Sequence, residues 1–217
     1  MFKDRLDAAR QLTKALQKYQ GQNPLVLAIP RGAVPMGVWM AQALHGEMDV
    51  VLVRKLRAPF QPEVAIGAVD ETGLACLSPY AATLGIDPQY VKNEIQRQIK
   101  TLKSRRQQYS QIRAAIPVQG RVVIVVDDGL ATGATMMSAL KALRQHHPQR
   151  LVCAIPVASP EALTKIQPLA DETVCLSAPE DFMAVAQFYR QFPQVSDAQV
   201  LEFLRAPAQP TPQIRCP

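Results

Sequence analysis

The chain has 217 residues, 48% of them hydrophobic and 19% charged, and its 24 lysines and arginines against 18 acids give a formal net charge of +6. That length supports one full hydrophobic core and leaves no comfortable room for two enzyme domains, while the charge favours anionic partners of every kind, nucleotides, sugar phosphates and nucleic acid alike. Cys76, Cys153, Cys175 and Cys216 lie far apart with no CxxC pair, which argues for reduced, mostly buried thiols and against a zinc site or a disulfide framework.

In chain order, Met1 to Arg5 leads into a charged amphipathic stretch instead of an apolar signal core, and no apolar run reaches membrane-spanning length. The expected compartment is the cytoplasm, with no membrane partner. Leu6, Ala9, Leu12, Ala15 and Leu16 recur at helical spacing until Gly21, Asn23 and Pro24 stop the helix ahead of the apolar run Leu25 to Ile29. The alternation continues with a helix from Val34 to Leu44, a strand Val50 to Val53, a strand Val122 to Val126, a helix from Thr135 and a strand Leu151 to Val157. Strands this apolar on both faces belong to a parallel sheet covered by helices, so the fold class is α/β.

Between Arg57 and Tyr80 the pattern changes, and the segments Val64 to Val69 and Leu74 to Leu77 around Asp70-Glu71-Thr72-Gly73 predict a β-hairpin excursion. Asp87-Pro88 reads as an N-cap with proline at the first helical position, opening a long polar helix to about Arg113. Its basic run, Lys100 to Arg106, is a solvated face or a phosphate-steering or nucleic-acid surface, and the lack of interleaved aromatic residues argues against RNA. Ser159-Pro160 repeats the cap-and-proline pattern, two short helical patterns occupy Ser177 to Arg205, and the proline-rich 206–217 is expected to be disordered. The organisation predicted is one domain over 1–205 with that tail. His45, His146 and His147 form no metal-ligand set and read as surface positions at helix ends.

The run Val122 to Val126 ends in Asp127-Asp128, passes through Gly129-Leu130-Ala131-Thr132-Gly133-Ala134-Thr135 and enters a helical pattern. At the carboxyl end of a parallel strand, small residues let successive backbone N–H groups face one phosphate, and a helix N-terminus adds partial positive charge. Thr132 and Thr135 add hydroxyl donors, and the two aspartates stand where a sugar on that phosphate would lie, able to accept from vicinal hydroxyls or to hold Mg²⁺. A turn-and-cap role for the acids and a plain tight connection for the loop compete with this reading; strand, acids, loop and helix in sequence favour phosphate plus ribose. No Gly-Lys-Ser/Thr follows and dinucleotide-type glycine spacing is absent, which excludes a Walker loop and a Rossmann fingerprint.

This stretch, Val122 to Thr135, resembles the signature of the phosphoribosyltransferase family: an apolar strand, two acids and a Thr-Gly-x-Thr phosphate loop. The resemblance implies a type I phosphoribosyltransferase fold, a central parallel sheet flanked by helices with a β-hairpin lid at about 57–80 and a small hood at about 177–205. It implies binding of phosphoribosyl pyrophosphate (PRPP) with Mg²⁺ and transfer of the phosphoribosyl group to a nucleobase or related small molecule. Asp127 and Asp128 would contact the ribose hydroxyls and, directly or through ribose and water, the metal; Gly129 to Thr135 would cradle the 5′-phosphate. Pro30-Arg31-Gly32-Ala33 looks like the family's pyrophosphate loop, for which a cis peptide between Pro30 and Arg31 is implied. Arg54 and Lys55 match its basic pair near pyrophosphate, and Glu63, the first acid of the lid, is a candidate for proton transfer to or from the incoming base.

Relatives that use 6-oxopurines commonly place an acid where this chain has Ala131, and the motif form is closer to adenine-type members. Val157, at a strand end beside the site, and Phe182, in the hood, are candidate base contacts, against a helix-capping role for the 157–161 segment and a plain core role for Phe182. The alternative to an enzyme is a catalytically silent PRPP- or nucleotide-binding regulator, in some relatives one that binds nucleic acid; a nucleic-acid partner is not expected here, and a homodimer stays open.

Overall fold

The structure is a computed structural model that describes residues 1–61, 64–77, 81, 84–110 and 115–205. Glu63 and the tail 206–217 lie outside the described residues. Five strands, β1 (Leu25–Ala28), β2 (Glu47–Val50), β6 (Val122–Val126), β7 (Arg150–Val157) and β8 (Glu172–Ser177), form one sheet in the order β2-β1-β6-β7-β8. Every neighbouring pair is parallel.

The side-chain alternation of β6 explains why its sequence is apolar throughout. Val122, Ile124 and Val126 join one buried cluster with Ala8 and Leu12 of α1 (Arg5–Ala15) and Met36 and Met40 of α2 (Val34–Ala43). Val123 and Val125 join another with Met136, Ala139 and Leu140 of α4 (Ala134–Arg144) and Ala162 and Ile166 of α5 (Pro160–Ile166). With period-two geometry both faces of the strand are covered, so no position tolerates a polar residue. Asp4 caps α1 by accepting from the Asp7 N–H at 2.8 Å, and Ser159 caps α5 with Pro160 following, as the sequence predicts. The long helix α3 (Pro88–Ser110) starts at Asp87, whose carboxylate accepts from the Gln89 N–H at 2.9 Å.

The strand expected at Val50 to Val53 is two strands in two sheets. β2 begins at Glu47 and ends at Val50, and β3 (Val53–Arg57) turns away to pair antiparallel with β4 (Ala65–Asp70), which pairs with β5 (Ala75–Leu77). The predicted hairpin is therefore the last two strands of a three-stranded sheet. Charge hid β2: Asp49 is buried and accepts from Arg106 at 2.9 Å and from the Ile116 N–H at 3.2 Å, which makes a carboxylate tolerable inside a strand. The β4–β5 turn is tied at the same place. Asp70 accepts from the N–H groups of Thr72 and Leu74, Arg106 also grips Glu71, and His146 meets Asp70 Oδ2 at 2.5 Å. His146, expected as a plain surface residue, thus links the end of α4 to the small sheet. The strand β8, half-buried along its length at the sheet edge, was not anticipated. No described helix is long and apolar enough to cross a membrane.

Candidate active site

The loop from Asp127 to Gly133 is held from behind by the β7–α5 connection. The Leu130 N–H donates to the Val157 carbonyl at 2.9 Å, the Ser159 N–H to the Leu130 carbonyl at 2.9 Å, and the Ser159 hydroxyl to the Ala131 carbonyl at 2.7 Å. Leu130 is buried, while Ala131, Thr132 and Thr135 face outward. A Cβ on Gly129 would lie 2.5 Å from Val185 Cγ1, so only glycine lets the hood segment close on the loop. Gly133 stands at the N-cap of α4 in the left-handed region, φ 69°, and no side chain caps the helix. The Ala134 N–H has only a 3.4 Å approach from the Thr132 hydroxyl. The first-turn donors of α4 are thus turned to an exposed loop, the arrangement that receives an anion.

The two acids differ in their surroundings. Asp127 Oδ1 accepts from the Asp128 N–H at 2.9 Å, and burial, reinforced by the neighbouring Asp128 charge, pushes its carboxyl well above the usual carboxylate range. Asp128 is also raised by burial, partly offset by the guanidinium of Arg5. Arg5 Nε and Nη2 each lie 2.9 Å from Asp128 Oδ2, and the Tyr189 hydroxyl donates to the Asp128 carbonyl at 2.6 Å. Two adjacent carboxylates served by one guanidinium leave the site short of positive charge, and a bound cation would relieve that shortage. Among the described residues no group of three or more His, Cys, Asp and Glu side chains is disposed to hold a metal. The pair therefore fits an Mg²⁺ that arrives with a phosphorylated ligand and keeps phosphate and water ligands, and does not fit a closed protein site.

The second loop follows β1. The Ile29 N–H donates to the Val126 carbonyl at 3.0 Å, placing residues 30–33 beside the acids, and the Pro30–Arg31 peptide is cis. Arg31 is exposed and lies 3.5 Å from Asp197 of α6 (Asp197–Arg205). Pro30, Arg54, Thr101, Arg105 and Thr135 line a cleft of about 60 Å³, and Arg54, Lys55, Arg57, Gln98, Thr135 and Ser138 line an adjoining groove of about 270 Å³. No described carboxylate lines either. A larger cavity of about 660 Å³ lies elsewhere, against Asp49, Arg106 and His146.

The structure thus brings Pro30, Arg54 and Lys55 to two adjoining basic clefts that share Thr135, the last residue of the loop. Val157 is fully buried behind Gly129, and the Phe182 ring stacks on Phe188 with centroids 5.4 Å apart. Arg5, Tyr189, Thr101 and Arg105 were missed. A signal existed for Arg5, which heads the buried stripe Arg5, Ala8, Ala9 and Leu12 of α1: an arginine on the apolar face of a helix needs a buried acid.

Known proteins resemble this chain in sequence and fold. The phosphoribosyl transferase domain matches residues 3–193. Two Mycobacterium tuberculosis proteins, from strains CDC 1551 and H37Rv, are provisionally named phosphoribosyl transferases; each is 39% identical over 205 residues, covering 94% of this chain and 46% of its own length. The chain thus spans about half the length of the curated relatives it matches. The crystal structure of TT1426 from Thermus thermophilus superposes with a TM-score of 0.88 at 44% identity, over 94% of this chain and 97% of that one. The chain belongs to the phosphoribosyl transferase domain family.

Proposed function

We propose that this chain binds PRPP as its Mg²⁺ complex and transfers the phosphoribosyl group to a nitrogenous base, releasing pyrophosphate. The observation that carries the reading is the convergence of an uncapped helix start, a half-buried pair of acids and a basic cleft free of described carboxylates on the same edge of the sheet. The 5′-phosphate sits on the first-turn donors of α4 and the hydroxyls of Thr132 and Thr135. The ribose hydroxyls donate to Asp127 and Asp128, and pyrophosphate lies along Pro30 to Ala33 within reach of Arg31, Arg54 and Lys55.

Departure of pyrophosphate leaves positive charge on the sugar ring as a base nitrogen approaches C1. The half-buried carboxylates stabilise that charge and the arginines and Lys55 stabilise the leaving oxygens, so the barrier falls by electrostatics placed in advance, without a covalent nucleophile. Mg²⁺, when bound, neutralises pyrophosphate oxygens. Ala131 offers no carboxylate to the acceptor, so adenine is the first base to test.

The experiment incubates the protein with PRPP, Mg²⁺ and one nucleobase at a time and follows pyrophosphate release. Base-dependent release with a nucleoside monophosphate as product is expected. PRPP binding without release in every arm would leave a silent PRPP-binding protein, and no PRPP binding would overturn the proposal.

A further inference from the structure

We propose that Arg5, in the first turn of α1, is a positioning residue of this site: it fixes Asp128 between the two ligand loops and so ties the N-terminal segment and the hood to ribose recognition. The inference rests on the PRPP reading above.

Arg5 is 8% exposed, although arginine is rarely buried without a fixed partner. Nε and Nη2 converge on Asp128 Oδ2 at 2.9 Å, Nη1 donates to the Pro193 carbonyl at 2.6 Å, and the guanidinium lies 3.8 Å from the centroid of the Phe192 ring. All three nitrogens are committed and one face is covered, so its orientation is set from both ends of the chain. The Asp128 carboxylate is pressed against the pyrophosphate loop, because a Cβ on Gly32 would stand 2.1 Å from Oδ2 and 3.3 Å from Arg5 Nη2. The Tyr189 hydroxyl holds the Asp128 carbonyl at 2.6 Å, and its ring packs on Phe2 and Phe192 with centroids 5.4 and 4.7 Å away. Phe2 is itself paired with this segment through the Phe2 N–H to Phe188 carbonyl bond at 2.7 Å and the Arg190 N–H to Phe2 carbonyl bond at 2.9 Å. Residues 2–5 and 188–193 therefore form a clasp whose tip is Asp128. Its Oδ2 is thereby committed to contacts inside the protein.

The 5′-phosphate loop lies beyond Gly129, outside the bonds that hold Arg5, which gives the test its discrimination. Calorimetry on the full chain would compare PRPP with Mg²⁺ against inorganic phosphate for wild type, Arg5→Ala and Arg5→Lys. The expected result is a loss of at least about tenfold in PRPP affinity for Arg5→Ala with phosphate affinity within about twofold of wild type, a smaller loss for Arg5→Lys, and recovery of PRPP binding in Arg5→Ala by millimolar guanidinium. Should Arg5→Ala not fold, Arg5→Lys and Tyr189→Phe decide by the same ratio. PRPP affinity unchanged in a folded variant, or both affinities falling together, would overturn the role of Arg5. Failure of the wild type to bind PRPP is a separate result, and would overturn the functional reading on which the role depends.

Discussion

Gly32→Ala is the sharpest single perturbation of the junction between the two loops. Gly32 does not occupy the left-handed region, so alanine meets no backbone penalty there, and its cost is the clash alone. The new methyl would stand 2.1 Å from Asp128 Oδ2 and 2.9 Å from its Cγ, too close to be absorbed by a shift of a few tenths of an ångström. Asp128 must leave Arg5 or the 30–33 loop must move. Separating a buried pair costs about 3–5 kcal/mol when the remaining charge stays unpaired, and partial relaxation of Arg5 toward the Pro193 carbonyl puts the expected loss near the lower end, about 3 kcal/mol. For a domain of this size that lowers Tm by roughly 6–12 °C. PRPP affinity should fall more than about tenfold. The assays are urea unfolding and calorimetric titration of PRPP with Mg²⁺. A variant that melts within about 2 °C of wild type and binds PRPP normally would refute the packing of Asp128 against Gly32 and the argument built on it.

Gly37→Ala provides the contrast: its Cβ would lie 2.9 Å from the Ala28 Cβ in the α2–β1 contact, so about 1–3 kcal/mol of stability should be lost by overpacking while phosphate affinity is unchanged in titrations of the folded fraction. Arg106→Met removes the shared partner of Asp49 and Glu71 and a donor to the Val50 carbonyl; urea melts should show a loss of about 3–5 kcal/mol, because Asp49 stays buried and unpaired. Asp171 is held below its ordinary pKa chiefly by the Arg144 guanidinium. Its stabilisation is therefore present above the unfolded carboxylate pKa and lost as pH falls through the lower folded value. Asp171→Asn should cost less than about 1 kcal/mol at neutral pH, this pair being half-exposed, and should flatten the acid limb of a stability-versus-pH curve.

The parallel sheet was legible because β1, β6 and β7 are apolar on both faces, and the strand-loop-helix junction at 122–144 because strand, acids, small residues and helix follow one another without interruption. β2 was not, since Asp49 looks like a surface residue until Arg106, far along the chain, is seen to reach it. Arg54 and Lys55, expected just after the second strand, sit within β3 of the small sheet, and the turn after Val50 delivers them to the clefts that share Thr135. Arg5 and Tyr189 escaped because their role exists only once 2–5 and 188–193 have met around Asp128. The basic run on α3 divides by face: Arg106 is taken up in structural pairing with Asp49 and Glu71, whereas Arg105 enters the cleft. Charge composition alone cannot separate those two fates.

The central claim, that Asp127 and the loop after it receive phosphoribosyl pyrophosphate, is tested most directly by titrating PRPP with Mg²⁺ into wild type and Asp127→Asn. Asn keeps the acceptor for the Asp128 N–H, and the buried Arg5 retains Asp128 as its partner, so the variant should melt within a few degrees of wild type. Saturable binding at one site per chain is expected in the wild type and at least about a tenfold loss in Asp127→Asn, with inorganic phosphate bound equally by both. Equal PRPP affinity in the two proteins, or none in either, would contradict it.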